Sequence, residues 1–201
     1  MHTTRQDAIL DFWFGGEQDD AAVASAQSWL WWSKDAATDA EIRRRFEPAV
    51  QAAARGDLDD WVDTPRHRLA LVLLCDQFPR NIYRDTPGAF AFDERARRLC
   101  RQALAAQEDA QLRPIERVFL YLPLEHSEDP GDQDEAVRLF EALVEAVPVA
   151  RRAPFEGFLD FARRHRDVIR RFGRFPHRNR ILQRPSTEEE SEFLKQKGSS
   201  F

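Results

Sequence analysis

Cysteine is scarce in this chain of 201 residues: there are two, Cys75 and Cys100. Both fall inside apolar-periodic segments. They read as buried free thiols in a reducing compartment, which speaks against a disulfide framework or a cysteine metal site. Long apolar runs are missing as well. The longest is "LALVLLC", seven residues from Leu69 to Cys75, whereas a bilayer span takes about 20; a membrane partner is therefore not expected. The opening "MHTTRQDAILDFWF" lacks a basic region followed by an apolar stretch and a small-residue cleavage site, so the expected location is cytoplasmic. No stretch alternates with period two over strand length, which argues against a sheet. Low-complexity segments, long linkers and an exact repeat of fixed period are also lacking, so the residues themselves do not demonstrate a solenoid.

Helical periodicity is what the chain does have, with 15 Phe and 5 Trp to build a core. "DAILDFWF" starts the series and Gly15-Gly16 ends it; residues 21–32 form a second helix. Thr38-x-x-Glu41 reads as a capping box ahead of an Ile42, Phe46, Ala49, Val50, Ala53 stripe, with Gly56 as the terminating residue. Thr64-Pro65 opens a helix to about Gln77 that Pro79 breaks. Asp93 opens the next, and Pro114 starts one that Pro123 stops. Asp132-x-x-Glu135 opens another, Pro154 begins a long helix to Phe172 closed by Gly173, and Ser186-x-x-Glu189 begins the last. The expectation is an all-α fold of about nine helices in stacked antiparallel pairs, forming a single domain over residues 1–201.

The net charge of −5 hides an asymmetry. Residues 151–201 carry 13 basic and 7 acidic side chains, a balance of +6, and residues 1–150 carry −11. A localised positive face on an acidic protein suits a small anionic ligand, or self-association with the acidic part. It suits nucleic acid poorly, because the whole-molecule field opposes it. Trp29, Trp31 and Trp32 crowd both sides of one short segment, which makes a homodimer an option.

Polar residues on apolar faces mark the candidate site. His165 sits mid-stripe among Phe158, Phe161, Ala162, Val168, Ile169 and Phe172; a satisfied core histidine is the ordinary explanation. Asp76 shares the inward face of Leu69, Val72 and Leu73, and Arg80, just past Phe78-Pro79, can pair with it or with a bound anion. "LEHSED" supplies Glu125, His126 and Glu128. Their spacing is not that of two histidines one helical turn apart, so a metal site is not indicated; Asp76, Glu125 and His126 are the ligands to inspect if there were one. Ser127 beside His126 is no sign of a triad, since triads are spatial. The stretch "IRRFGRFPHRNR" ends a helix with Arg170, Arg171 and Arg174, where cations meet the negative end of the dipole. Phe175-Pro176 then anchors His177, Arg178 and Asn179. A matching Phe-Pro-Arg-Asn corner stands at Phe78-Pro79-Arg80-Asn81, and the two could line one recess.

"LALVLLCDQFPRNIYR", "AFAFDERAR", "FLYLPLEHSED", "HRDVIRRFGRFPHRN" and "STEEESEFL" together resemble the bacterial family named domain of unknown function 924, from about Ile9 to Leu194. The resemblance implies a tetratricopeptide-like helical fold and no established activity. It departs from the family pattern at Leu182-Gln183-Arg184, where the family has Leu-Gly-Arg before Ser-Thr; glycine takes a left-handed turn there at no steric cost and Gln183 does not. The likeness also groups Asp76, Gln77, Arg80, Asn81, Glu125, Glu128, His165, Arg174, Arg178 and Asn179 as candidate ligand-binding residues. His126 and His177 are the candidate proton carriers, and no cofactor is expected.

Two functions follow. One is a polar pocket for a small anionic molecule, with acid–base catalysis left open. The other is a helical module that holds a peptide or protein partner. The sequence leaves open whether the chain is an enzyme.

Overall fold

The computed structural model describes residues 5–199. Eleven α-helical segments run through them, and no strand is found among the described residues. In chain order they are α1 (Gln6–Phe14), α2 (Asp20–Ala26), α3 (Ser28–Trp32), α4 (Ala36–Arg55), α5 (Pro65–Cys75), α6 (Gln77–Ile82), α7 (Asp93–Ala105), α8 (Pro114–Glu125), α9 (Pro130–Ala146), α10 (Ala153–Phe172) and α11 (Glu188–Phe193). The expected helix over 21–32 is split at Gln27 into α2 and α3, and α6 is an additional helix, past Asp76, running through Pro79 where the sequence predicts a break.

The seven-residue apolar run is the centre of the molecule. Every residue from Leu69 to Cys75 is buried, as suits a helix that is apolar all round, and α5 touches α1, α4, α6, α7 and α8. On one side α4 packs against α6 and α5 against α7; on the other α8, α9 and α10 pack in succession. One large apolar core runs from Ile9 to Ala162, and a small satellite of Val168, Ile169 and Phe175, flanked by Phe172 and Phe193, sits beyond it. Cys75 and Cys100 are buried free thiols, and burial pushes Cys75 up to about 12. No helix among the described residues is long and apolar enough to cross a membrane.

Several helix ends differ from the expected ones, each for a local reason. Asp35, not Thr38, caps α4: its carboxylate accepts from the Thr38 N–H at 2.7 Å and from the Thr38 hydroxyl at 2.8 Å. Asp129, not Asp132, caps α9 by accepting from Gly131 N and Asp132 N, and Pro130 takes the first helical position. The last capping box lies one residue later than expected, Thr187 with Glu190. Such caps contribute about 1 kcal/mol each. Pro123 does not stop α8, which continues to Glu125 and closes with His126 N donating to Leu122 O. Pro79 is not itself the break. Lacking an N–H for the Cys75 carbonyl and crowding it, Pro79 forces the discontinuity three residues upstream, at Asp76. Phe161 is 48% exposed, so the inward stripe of α10 passes through Phe155 and Leu159 instead.

Gly56 and Gly173 end α4 and α10 in the left-handed region, at φ 85° and 68°. Gln183 takes the same conformation at φ 54°. The hydrogen bonds around it are those of a Schellman turn: Arg184 N donates to Asn179 O at 2.8 Å and Gln183 N to Arg180 O at 3.4 Å. The corner therefore keeps the geometry that glycine would give, at the steric cost of a Cβ. Gln183→Gly is expected to stabilise the chain by about 0.5–1 kcal/mol, the left-handed penalty less the added chain entropy. Urea denaturation checks this, and a loss of stability would contradict the assignment of strain.

Candidate functional site

Asp76 is the junction of the site. It is completely buried at the α5–α6 break, where a carboxylate must be matched or take up a proton. Three groups converge on it. His126 Nδ1 donates to Oδ1 at 2.8 Å, the Gln77 amide donates to Oδ2, and Arg80 Nη1 lies 3.3 Å from Oδ1 while also donating to the Asp76 carbonyl. Burial works against the charge, but Arg80 and His126 hold the carboxyl well below the usual range. Arg80 also grips Asp93, at the start of α7, with two bonds of 3.0 and 3.1 Å. Asp76 thereby ties α6 to the end of α8 and, through Arg80, to α7.

His126 stands at the end of α8 with 14% of its side chain exposed. Burial and then Arg80 lower its pKa, against the pull of Asp76. Its ring lies 6.2 Å from that of His165 on α10. His165 donates from Nδ1 to its own helix at Phe161 O, 2.8 Å away, and the same nitrogen is 3.1 Å from Glu125 Oε1. Burial drives His165 well below its ordinary pKa and lifts Glu125 to about 8, with Asp76 adding to the latter. At neutral pH the two meet as uncharged groups. Glu125 Oε2 is buried without a hydrogen-bond partner.

The corner after α10 completes the cluster. Gly173 turns the chain back, and Phe175 sets its ring against His165 at 5.5 Å. Glu128 fastens this corner: it accepts from Phe175 N at 2.8 Å and from Arg184 at 2.7 and 2.9 Å. Burial alone would raise the pKa of Glu128; these donors bring it below the ordinary value. Arg178 is buried over the rings of Phe175 and Phe90, 4.5 and 4.7 Å from their centroids, with Asp93 Oδ2 at 3.6 Å. Burial and then Arg80 lower Arg178 to about 10. Burial and then Arg178 lower His177 to about 3.

Asp76, Gln77, Arg80, Glu125, His126, His165 and Arg178 thus lie in one contiguous network, with Glu128 and His177 at its edge. The other three candidates face elsewhere. Asn81 donates to Asp39 Oδ1 at 2.9 Å, beside Arg84. Arg174 and Asn179 both bond Glu190; their polar side chains brace α11. Asp93, Phe90 and Arg184 also belong to the cluster, and sequence pattern alone does not mark them as site residues. Asp93 and Phe90 stand in "AFAFDERAR", but an acidic residue opening a helix looks like an end charge, and only the tertiary fold brings it to Arg80. Among the described residues no group of three or more His, Cys, Asp or Glu side chains is placed to hold a metal ion. Concavities of about 340 and 510 Å³ lie elsewhere, the first beside Asp109, Arg117 and Tyr121, the second beside Trp29 and Trp32.

The arginine-rich stretch is largely neutralised within the chain. Arg163 pairs with Glu141, Arg170 with Asp134, Arg171 with Glu189 and Arg174 with Glu190. Glu141 and Asp134 belong to the acidic part of the sequence, so part of the charge asymmetry is used internally.

A family model described as bacterial protein of unknown function (DUF924) matches residues 9–198. The chain belongs to that family. A solved structure of a protein of unknown function from Agrobacterium tumefaciens is 39% identical, covers 94% of this chain and 96% of its own, and superposes with a TM-score of 0.79. No curated protein matches the chain. The family's description assigns no activity.

Glu125 makes the network sensitive to pH. Its folded pKa is raised, so its stabilisation is complete below about 4.5, the ordinary glutamate value, and is lost as pH rises toward about 8. Across that window the natural chain should lose stability relative to Glu125→Gln, by up to about 1.4 kcal/mol per pH unit. Urea midpoints of both proteins, measured across the window, check this. Parallel curves would mean that Glu125 is ionised in the folded state.

Proposed function

We propose that this DUF924 protein binds a small anionic ligand where His126 and Arg178 approach the surface, and that His126 transfers a proton on it. The observation that carries the reading is the pairing of a partly exposed histidine with a completely buried carboxylate, Asp76, at 2.8 Å. The ionised Asp76 accepts the Nδ1 proton. This fixes the tautomer and leaves Nε2 as the basic nitrogen, the arrangement by which an oriented imidazole acts as a general base. Its lowered pKa keeps His126 neutral at physiological pH and ready to accept a proton.

The other members have supporting roles. Gln77 and Arg80 hold Asp76 ionised. Arg178 supplies positive charge, and His177, kept neutral by burial and Arg178, is the second candidate proton carrier. Glu128 and Arg184 fix the loop that carries both. A covalent mechanism is not favoured. Burial pushes both cysteine thiols up, and the Ser127 hydroxyl accepts from Arg97. The peptide-binding alternative draws on Trp29 and Trp32, 69% and 49% exposed. Both belong to the five-residue α3, and a groove shared by successive helices is not what supports that reading.

The test is NMR of the histidine rings during titration with a panel of small carboxylates, phosphate esters and sulfates. A binding compound should shift the His126 ring signals, and Asp76→Asn should abolish that response. Once a turned-over compound is found, His126→Gln should lower the rate about 10²–10⁴-fold. Binding and turnover indifferent to both substitutions would refute the proposal.

A further inference from the structure

We infer that Arg178 is the anchor for a small carboxylate monoanion, held by the free donor edge of its guanidinium. This rests on the functional reading above and names the ligand class. Arg178 is one of two buried arginines among the described residues; the other, Arg68, bonds Glu108 through Nε and Nη2. Arg178 is 7% exposed, and its Nε is buried with no hydrogen-bond partner. Its one ion pair, to Asp93 Oδ2 at 3.6 Å, is longer than a hydrogen bond. Arg80, Arg174 and Arg184 each hold a carboxylate with two bonds. A buried guanidinium with unused donors carries the full desolvation cost of those groups, and an anion accepting from them removes it.

The surroundings limit what that anion can be. Phe90 and Phe175 lie against the guanidinium, its carbon 4.7 and 4.5 Å from their ring centroids, and they supply no charged acceptor for its N–H edge. Two parallel N–H bonds along that edge match a planar carboxylate. Charge limits the ligand further. Arg80 and Arg178 face Asp76 and Asp93, and Arg184 is matched by Glu128. The cluster is therefore balanced before anything binds. A monoanion adds one negative charge, which a single proton on His126 would offset; a phosphate dianion would need two.

The experiment is a titration of the full chain, ¹⁵N-labelled on arginine, with formate, acetate, propanoate and lactate, following the Arg178 Nε–H signal. Acetamide and methyl phosphate serve as comparisons. At least one carboxylate should shift the signal saturably, while acetamide should not and methyl phosphate should bind at least 10-fold more weakly. Arg178→Lys, which keeps the charge but not the planar edge, should weaken the carboxylate at least 10-fold as read from the His126 ring, with the unfolding temperature measured alongside to confirm a folded protein. If methyl phosphate binds more tightly, the carboxylate class is wrong and the proton-transfer reading survives. If a carboxylate shifts His126 equally in Arg178→Lys, Arg178 is not the anchor. Should Arg178→Lys fail to fold, the natural chain decides: no Nε–H response to any carboxylate overturns the inference. A His126 response without one leaves the wider reading standing.

Discussion

A carboxylate with no access to water organises this structure. Asp76 sits where Pro79 interrupts the helix that carries the central apolar run, and its charge has to be met by the protein itself. Arg80, Gln77 and His126 meet it. Because these partners come from α6 and the end of α8, and Arg80 continues to Asp93 on α7, one ionised group determines how three helices approach one another. Buried ion pairs of this kind add little net stability compared with an apolar replacement, while removing one partner costs about 3–5 kcal/mol. Their contribution is to arrangement, and here the arranged group is an imidazole that still reaches solvent.

The chemistry of the cluster follows from unequal burial. Arg80 and Asp93 pair through two hydrogen bonds, whereas His165 and Glu125, deeper and without a strong counter-ion, settle as neutral groups. His126 lies between these regimes, close to both Asp76 and His165. Groups whose surroundings push their protonation in opposite directions are suited to moving protons. The arginines outside the cluster have simpler work. Those of α10 are paired with acids of α9 and α11, which explains why a basic segment ends an acidic chain without producing a broad unpaired positive face.

Much of the fold was legible because helix punctuation is chemical. Thr64-Pro65, Gly56 and Gly173 mark ends through capping and left-handed geometry, and the structure places ends there. Where several acidic or hydroxyl residues compete, as at Asp35 against Thr38 or Asp129 against Asp132, the backbone selects the one whose oxygen reaches two N–H groups or a nearby hydroxyl, and sequence spacing does not decide between them. Prolines inside helices misled for a related reason: Pro123 sits within a helix whose surroundings outweigh one missing bond. For the candidate site, polar residues on apolar faces identified Asp76 and His165. Their partners were visible only in part, since Asp93 and Phe90 are ordinary helix-start and loop residues until the chain folds.

The central claim is that Asp76 remains ionised in the interior because Arg80 and His126 require it to be. The ¹³Cγ resonance of Asp76, followed from neutral pH down to the acid limit of the folded state, tests this directly. The account predicts a carboxylate signal that does not titrate near 3.8, the ordinary aspartate value, while the fold persists. A protonation step at that pH, with the fold intact and the His126 ring unmoved, would contradict it.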